Sequence, residues 1–146
     1  AMAFALACLA ARAQELAMKR DGAVSWICGG VGADERRAIE ALKPQARIEV
    51  EFVTAKRGAY LSDVRLAMYD ARGERVLEVA ADGPVCLIDA PAGTYRLEAR
   101  YEGVTRKARS TIAGAATPRR VVFAFPGEPW DGIRASPEEK AQAAQP

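Results

Sequence analysis

The sequence predicts an all-β protein, a seven-stranded antiparallel β-sandwich with a short N-terminal helix. Three observations predict this class. Between residues 46 and 126, hydrophobic residues recur at every second position in about seven short runs. Glycine- and proline-containing turns separate the runs at close intervals, and connections this short make consecutive strands antiparallel. A chain of 146 residues suits one domain that buries a sizeable core.

Each alternating run predicts a strand with one face in the core and the other in water. The clearest is Ile48, Val50 and Phe52, which alternate with the polar Arg47, Glu49 and Glu51. Further inward-facing residues are predicted at Val64, Leu66 and Met68, at Tyr95, Leu97, Ala99 and Tyr101, and at Val121, Phe123 and Phe125. Shorter strands are predicted at 75–79, 85–88 and 104–112.

Residues 14–45 are predicted to be a connector followed by the short helix. Asp34 is expected at the N-cap and Glu35 in the first turn, where negative charge is favourable, and Pro44 ends the helix. A cluster of glycines, Gly29, Gly30 and Gly32, stands just before it. The cluster lacks the lysine and Ser/Thr of a phosphate-binding loop, so it indicates a tight turn.

Both ends differ in composition from the rest. Residues 1–13 are apolar and end in Ala11-Arg12-Ala13, which is typical of the hydrophobic region and cleavage site of a signal peptide. An amphipathic helix is the alternative. The run is too short to span a bilayer, and no transmembrane segment is expected in the mature chain.

Residues 127–146 are expected to be a polar, disordered tail. The expected location is the periplasm or the exterior.

Removal of residues 1–13 leaves two cysteines, Cys28 and Cys86. An even pair in an exported chain predicts a disulfide. Two buried free thiols, acting as small hydrophobic residues, are the alternative.

The hairpin segment at residues 89–99 carries a family resemblance. Pro91, Gly93 and Tyr95 follow the pattern P-x-G-x-Y-x-L/V-x-A, which is similar to a hairpin of carboxypeptidase regulatory-like domains. Together with residues 29–35, the chain resembles bacterial exported proteins that carry this domain. The resemblance covers roughly residues 26–126 and implies a transthyretin-like, Ig-like sandwich over 46–126. It implies a periplasmic accessory or interaction module of unestablished role, with Pro91 and Gly93 in the turn and Tyr95 at the start of an inward-facing strand.

No enzymatic activity, metal or cofactor is expected. The chain has no histidine, which removes the commonest general base and the usual zinc ligand. The acidic candidates Asp34, Glu35, Asp82 and Asp89 lack the close spacing of a calcium loop, and cap and turn roles are favoured over a carboxylate hydrolase.

Basic residues are dense in the last third of the chain. If their strands pair, several of them share one outer face that suits an acidic glycan, lipopolysaccharide or lipid headgroups; the alternative is a solvated face that protects sheet edges. These residues are Arg96, Arg100, Arg106, Lys107, Arg109, Arg119 and Arg120. The expected partner is another envelope protein or a glycan rather than nucleic acid, because aromatic stacking residues are few and the net charge is +2. The oligomeric state stays open.

Overall fold

The structure, a computed structural model, describes residues 17–114 and 118–126. The predicted signal-peptide remnant and the predicted tail at 127–146 lie outside these residues. The described chain is mostly β-strand with one short helix, as the sequence predicts. Its strands are β1 (Lys19–Asp21), β2 (Val24–Gly29), β3 (Ile48–Thr54), β4 (Val64–Tyr69), β5 (Arg75–Ala81), β6 (Val85–Asp89), β7 (Gly93–Tyr101), β8 (Val104–Ile112) and β9 (Arg119–Phe125). The helix α1 spans Ala33–Leu42, and a 3-10 turn at Lys43–Gln45 contains Pro44.

The strands form two sheets. The first sheet has the order β1-β2-β6-β3-β9, and the second has the order β5-β4-β7-β8. All pairs are antiparallel except β3 and β9, which run parallel from Ile48 opposite Arg119 to Thr54 opposite Phe125. The expectation of a wholly antiparallel arrangement was therefore wrong at this edge. After β8 in the second sheet, the chain crosses to the first sheet. There β9 adds to the free edge of β3 and runs in the same direction as β3.

Two of the nine described strands, β1 and β2, lie in the segment that the sequence assigned to a connector and helix. Their patterns explain why seven strands were expected. The three residues of β1 are all exposed. In β2, Val24 and Cys28 face the core between the sheets, while Ile27 is buried on the other face beneath α1. A strand covered on both faces shows no clean alternation of hydrophobic and polar residues.

The two sheets share one hydrophobic core. Val50 and Phe52 of the first sheet and Leu66, Met68 and Leu97 of the second belong to the same buried cluster. Each of these side chains is 0% exposed, which confirms the inward positions that the alternation predicts. Phe52 also stacks on Phe123 across the parallel pair, with ring centroids 6.2 Å apart. Burial of a side chain of this size contributes about 1.5–3 kcal/mol to folding.

Helix α1 covers part of the opposite face of the first sheet. Its residue Ile39 is 2% exposed and packs with Ile27 of β2, Leu87 of β6 and Ala46. A helix of ten residues is marginal by itself, so this second cluster is what holds it in place.

Candidate functional site

The predicted disulfide is present. Cys28 of β2 and Cys86 of β6 are direct register partners, and their sulfur atoms are bonded. The two residues are 6% and 0% exposed, so the bond lies inside the core and acts on stability rather than on ligands. It also ties the glycine-rich segment after β2 to the turn that precedes β6.

The glycine cluster is a tight turn, and the side chain of Glu35 engages two of its backbone donors. Gly30 and Gly32 have positive φ angles of 102° and 80°, a region that other residues rarely adopt. The carboxylate of Glu35 accepts hydrogen bonds from the backbone N–H groups of Gly30 at 2.8 Å and Val31 at 3.4 Å. The negative carboxylate therefore stands where a phosphate would bind, which agrees with the turn that the sequence favours.

The N-cap of α1 is Gly32 instead of Asp34. Asp34 lies in the first turn, exposed, and pairs with Arg37 at 2.7 Å. Glu35 reaches back and accepts hydrogen bonds from the backbone N–H groups of Gly30 and Val31, which closes the turn before Asp34 and lets the helix begin at Ala33. Glu35 stands three residues after the capping glycine, the position from which a Glu reaches back towards the helix start in a capping box, and this spacing is the sequence signal for the contact.

In the segment with Pro91, Gly93 and Tyr95, a side chain near the start of β7 bonds back to the preceding turn. The hydroxyl of Tyr95 donates a hydrogen bond to the carbonyl oxygen of Pro91 at 2.7 Å, while its ring is buried in the core. Burial raises the pKa of Tyr95 above its usual 10.0, and the charge of Asp70 adds to the shift. The motif thus has a structural cause within this chain.

We expect Tyr95→Phe to lower the free energy of unfolding by about 1 kcal/mol, because one buried hydrogen bond is lost while the ring remains. Tyr60→Phe is the control, since Tyr60 is 53% exposed. Urea unfolding of both variants at pH 7 measures the difference, and equal stability of the two would contradict the role of the hydroxyl.

The raised pKa of Tyr95 also predicts that the parent chain and Tyr95→Phe differ in how their stability depends on pH. A phenol whose pKa is raised in the folded state stabilises the protein fully below about pH 10 and loses that contribution as pH rises through the folded value. Above pH 10 we therefore expect the free energy of unfolding to fall more steeply for the parent chain than for Tyr95→Phe.

The structure does not bring the four acidic candidates together. Asp34 pairs with Arg37, Glu35 binds the glycine turn, Asp89 lies 3.7 Å from Arg47, and Asp82 is exposed in a turn. Within residues 17–114 and 118–126, no group of three or more His, Cys, Asp or Glu side chains is placed to hold a metal ion.

A different carboxylate pair is buried on the outer face of β3. Glu49 and Glu51 are each 8% exposed, so the expectation that this face is wet was wrong. Glu49 lies 3.1 Å from Lys43 Nζ, and Glu51 accepts a hydrogen bond from Arg120. The pKa of Lys43 is raised above its usual value, mainly by the hydrogen bond to Glu40 and further by Glu49. Sequence reasoning missed the pair because the cations that cover it come from other elements. Each of the two carboxylates faces a different cation, and Glu49 shares its cation, Lys43, with Glu40.

The outer face of the second sheet gathers most of the predicted basic residues. β7 and β8 are antiparallel neighbours, and β4 lies on the other side of β7. Side chains that project outward from these three strands include five exposed cations, and we call this set the basic face. Its members are Arg65, Arg96, Arg100, Lys107 and Arg109. Carboxylates on the same surface come from Glu98 of β7 and Glu78 of β5.

Three of the predicted basic residues lie elsewhere. Arg106 is on the edge strand β8, where its Nε donates a hydrogen bond to the carbonyl oxygen of Ala124 in β9 and links the edges of the two sheets. Arg119 and Arg120 belong to β9 of the first sheet. The alternation along β8 turns Arg106 away from its neighbours Thr105 and Lys107, which excludes it from the basic face.

The charges of the basic face are only partly balanced. Arg65 lies 3.9 Å from Glu78, while Arg96 and Lys107 lie 3.5 Å and 3.7 Å from Glu98. Among the described residues, Arg100 and Arg109 have no carboxylate within 4.0 Å, and each stands directly opposite another arginine, Arg65 and Arg96 respectively. Like charges directly opposite one another destabilise a strand pair, and an anion bound between them offsets that cost.

These features define the class of protein: an all-β chain with two sheets around one core, a disulfide in that core and a cationic outer face. The helix in the described residues is too short and too polar to cross a membrane. No protein-family model, curated protein or solved structure matches the chain.

Proposed function

We propose that this chain is a non-catalytic interaction module of the cell envelope that binds an extended anionic ligand on its basic face. The observation that carries the proposal is the placement of five exposed cations on three adjacent strands, with two of them unpaired among the described residues. A sheet holds such side chains at fixed spacing, and the ligand displaces the counterions that they attract.

The proposal joins the two functions that the sequence suggests, an accessory or interaction module and a binder of carbohydrate or anionic envelope ligands. The basic face favours an anionic partner over an unspecified protein surface. The location in the periplasm or exterior rests on the composition of residues 1–13 and is supported by the disulfide, since disulfides persist in oxidising compartments.

The assignment to a transthyretin-like sandwich of the carboxypeptidase regulatory-like kind is part of the same proposal. It is supported by the shared core of the two sheets and by the contact of Tyr95 with Pro91 within the motif that carries the resemblance. A fold of this kind does not define an activity, so the function is argued from the surface.

Binding to immobilised heparin, a sulfated polysaccharide, over a range of salt concentrations tests the proposal. We expect retention that falls steeply with salt, and a loss of about three from the slope of log affinity against log salt in the triple variant Arg100→Gln, Lys107→Gln and Arg109→Gln. A matched control, Arg36→Gln, Arg37→Gln and Lys56→Gln, removes the same charge from exposed positions elsewhere. Equal losses in both triple variants, or no retention by the parent chain, would refute the basic face as the binding surface.

A further inference from the structure

One end of the basic face contains a cavity of about 280 Å³. It lies between the turn that joins β4 to β5 and the paired strands β7 and β8. The residues that border it include Asp70, Ala71, Gly73, Thr94, Arg96 and Arg109. Pockets for drug-sized ligands measure about 300–1,000 Å³, so this cavity suits a single small unit of a larger ligand.

Two arginines border this cavity. Arg96 and Arg109 are register partners on β7 and β8. The guanidinium of Arg96 is held over the ring of Tyr69 at 4.7 Å, and its Nε lies 3.5 Å from Glu98. These contacts hold the orientation of Arg96, while Arg109 has no carboxylate within 4.0 Å among the described residues. A planar guanidinium group recognises a carboxylate or sulfate through two parallel hydrogen bonds, and this cavity is bordered by two such groups.

A carboxylate, Asp70, borders the same cavity as the two arginines. Asp70 Oδ1 accepts hydrogen bonds from the backbone N–H groups of Arg72 at 2.9 Å and Glu74 at 3.0 Å, which fix the side chain in the turn. No hydrogen bond from the described residues engages Asp70 Oδ2. Thr94 adds a hydroxyl that is 3.1 Å from the hydroxyl of Thr111. The cavity therefore presents cations, a negatively charged acceptor and a hydroxyl within one small space.

From this combination we infer that the cavity binds an acidic sugar unit, with the anionic group between Arg96 and Arg109 and a ring hydroxyl donating to Asp70. The inference rests on the proposed function and names its ligand class. A carboxylate accepts hydrogen bonds from hydroxyl groups but repels a ligand that carries only anionic oxygens, such as a polyphosphate chain. An acidic sugar supplies both the anion and the hydroxyl donors.

The other end of the basic face provides a matched control. Arg65 and Arg100 are also register partners and carry the same charge, but they do not border this cavity. The double variants Arg96→Gln/Arg109→Gln and Arg65→Gln/Arg100→Gln differ only in which end of the face loses two cations. Asp70→Asn keeps the oxygen that accepts the turn hydrogen bonds and removes the negative charge.

The experiment measures the affinity of each variant for an oligogalacturonate and for linear polyphosphate by titration calorimetry at fixed salt. For oligogalacturonate, we expect a loss of at least tenfold in Arg96→Gln/Arg109→Gln and about twofold in Arg65→Gln/Arg100→Gln. For polyphosphate, the two double variants should lose affinity equally. Asp70→Asn should weaken oligogalacturonate binding about fivefold and strengthen polyphosphate binding. Thermal unfolding of every variant verifies that the fold is retained.

The outcomes separate the two proposals. Equal losses of oligogalacturonate affinity in both double variants would overturn the sugar subsite and leave the basic face as a general anion surface. Stronger binding of both ligands by Asp70→Asn would also overturn the subsite, because the carboxylate would then only repel. Failure of the parent chain to bind either ligand would refute the proposed function itself.

Discussion

Removing the Cys28–Cys86 disulfide should lower the free energy of unfolding by about 4 kcal/mol, the largest single effect that we expect in this chain. The bond joins residues with a sequence separation of 58. A cross-link over such a loop lowers the conformational entropy of the unfolded chain, which raises the free energy of unfolding by about 4 kcal/mol. The loss is a large part of the total, since domains of this size are stable by about 5–15 kcal/mol.

Two ways of removing the disulfide separate the effect of the covalent bond on stability from the effect of the packing of the sulfur atoms. Reduction of the parent chain removes only the covalent bond, whereas Cys28→Ala/Cys86→Ala also leaves small voids in the core. Cys8→Ser in every sample removes the third cysteine of the sequence. We expect urea unfolding to show a lower midpoint and a larger m-value in both cases, because the unfolded chain without the bond exposes more surface. Unchanged stability on reduction would contradict this account.

Gly83→Ala should be the most damaging single substitution outside the hydrophobic core, with a loss of about 3 kcal/mol. A Cβ atom at this position would lie 2.4 Å from the backbone carbon and oxygen of Gly29. Backbone atoms cannot rotate away, and Gly29 is held by β2 and by the adjacent disulfide. The turn before β6 must therefore move away from the end of β2.

Gly29→Ala is the matched control. A Cβ atom there would lie 2.6 Å from Glu35 Oε1, the far end of a flexible side chain that can swing aside. We expect a loss of about 1 kcal/mol, mainly from the hydrogen bond between Glu35 and the Gly30 N–H group. Urea unfolding of both variants gives the comparison, and a Gly83→Ala variant no less stable than Gly29→Ala would contradict the close approach of the two backbones.

Much of the β structure follows directly from sequence periodicity. Ile48, Val50 and Phe52 occupy the core because a strand places every second side chain on one face. The pairing of Cys28 with Cys86 was also predictable, since they are the two cysteines that remain after the predicted removal of residues 1–13, and an even pair indicates a bond. Asp34 was misplaced because capping residues and first-turn residues have overlapping preferences, and only the contact of Glu35 with Gly30 distinguishes them.

The candidate site was predictable only in part. The sequence suggested that basic residues of the last third share a face, and Arg96, Arg100, Lys107 and Arg109 do so because β7 and β8 are neighbours joined by a short turn. Arg65 joins them through the pairing of β4 with β7, which no local pattern reveals. The cavity with Asp70 likewise depends on a turn that is distant in sequence from Arg109.

The sequence by itself determined what is local in this protein: the period-two strands, the turns between consecutive strands and the short amphipathic helix, because these depend on residues within a few positions of one another. Only the tertiary structure decided the parallel addition of β9 to β3, the burial of Glu49 and Glu51, and the assembly of Arg65 with the arginines of β7 and β8. Each of these depends on which strand edges meet. That choice is made by the packing of two whole sheets around one core, and it leaves no trace in the spacing of neighbouring residues.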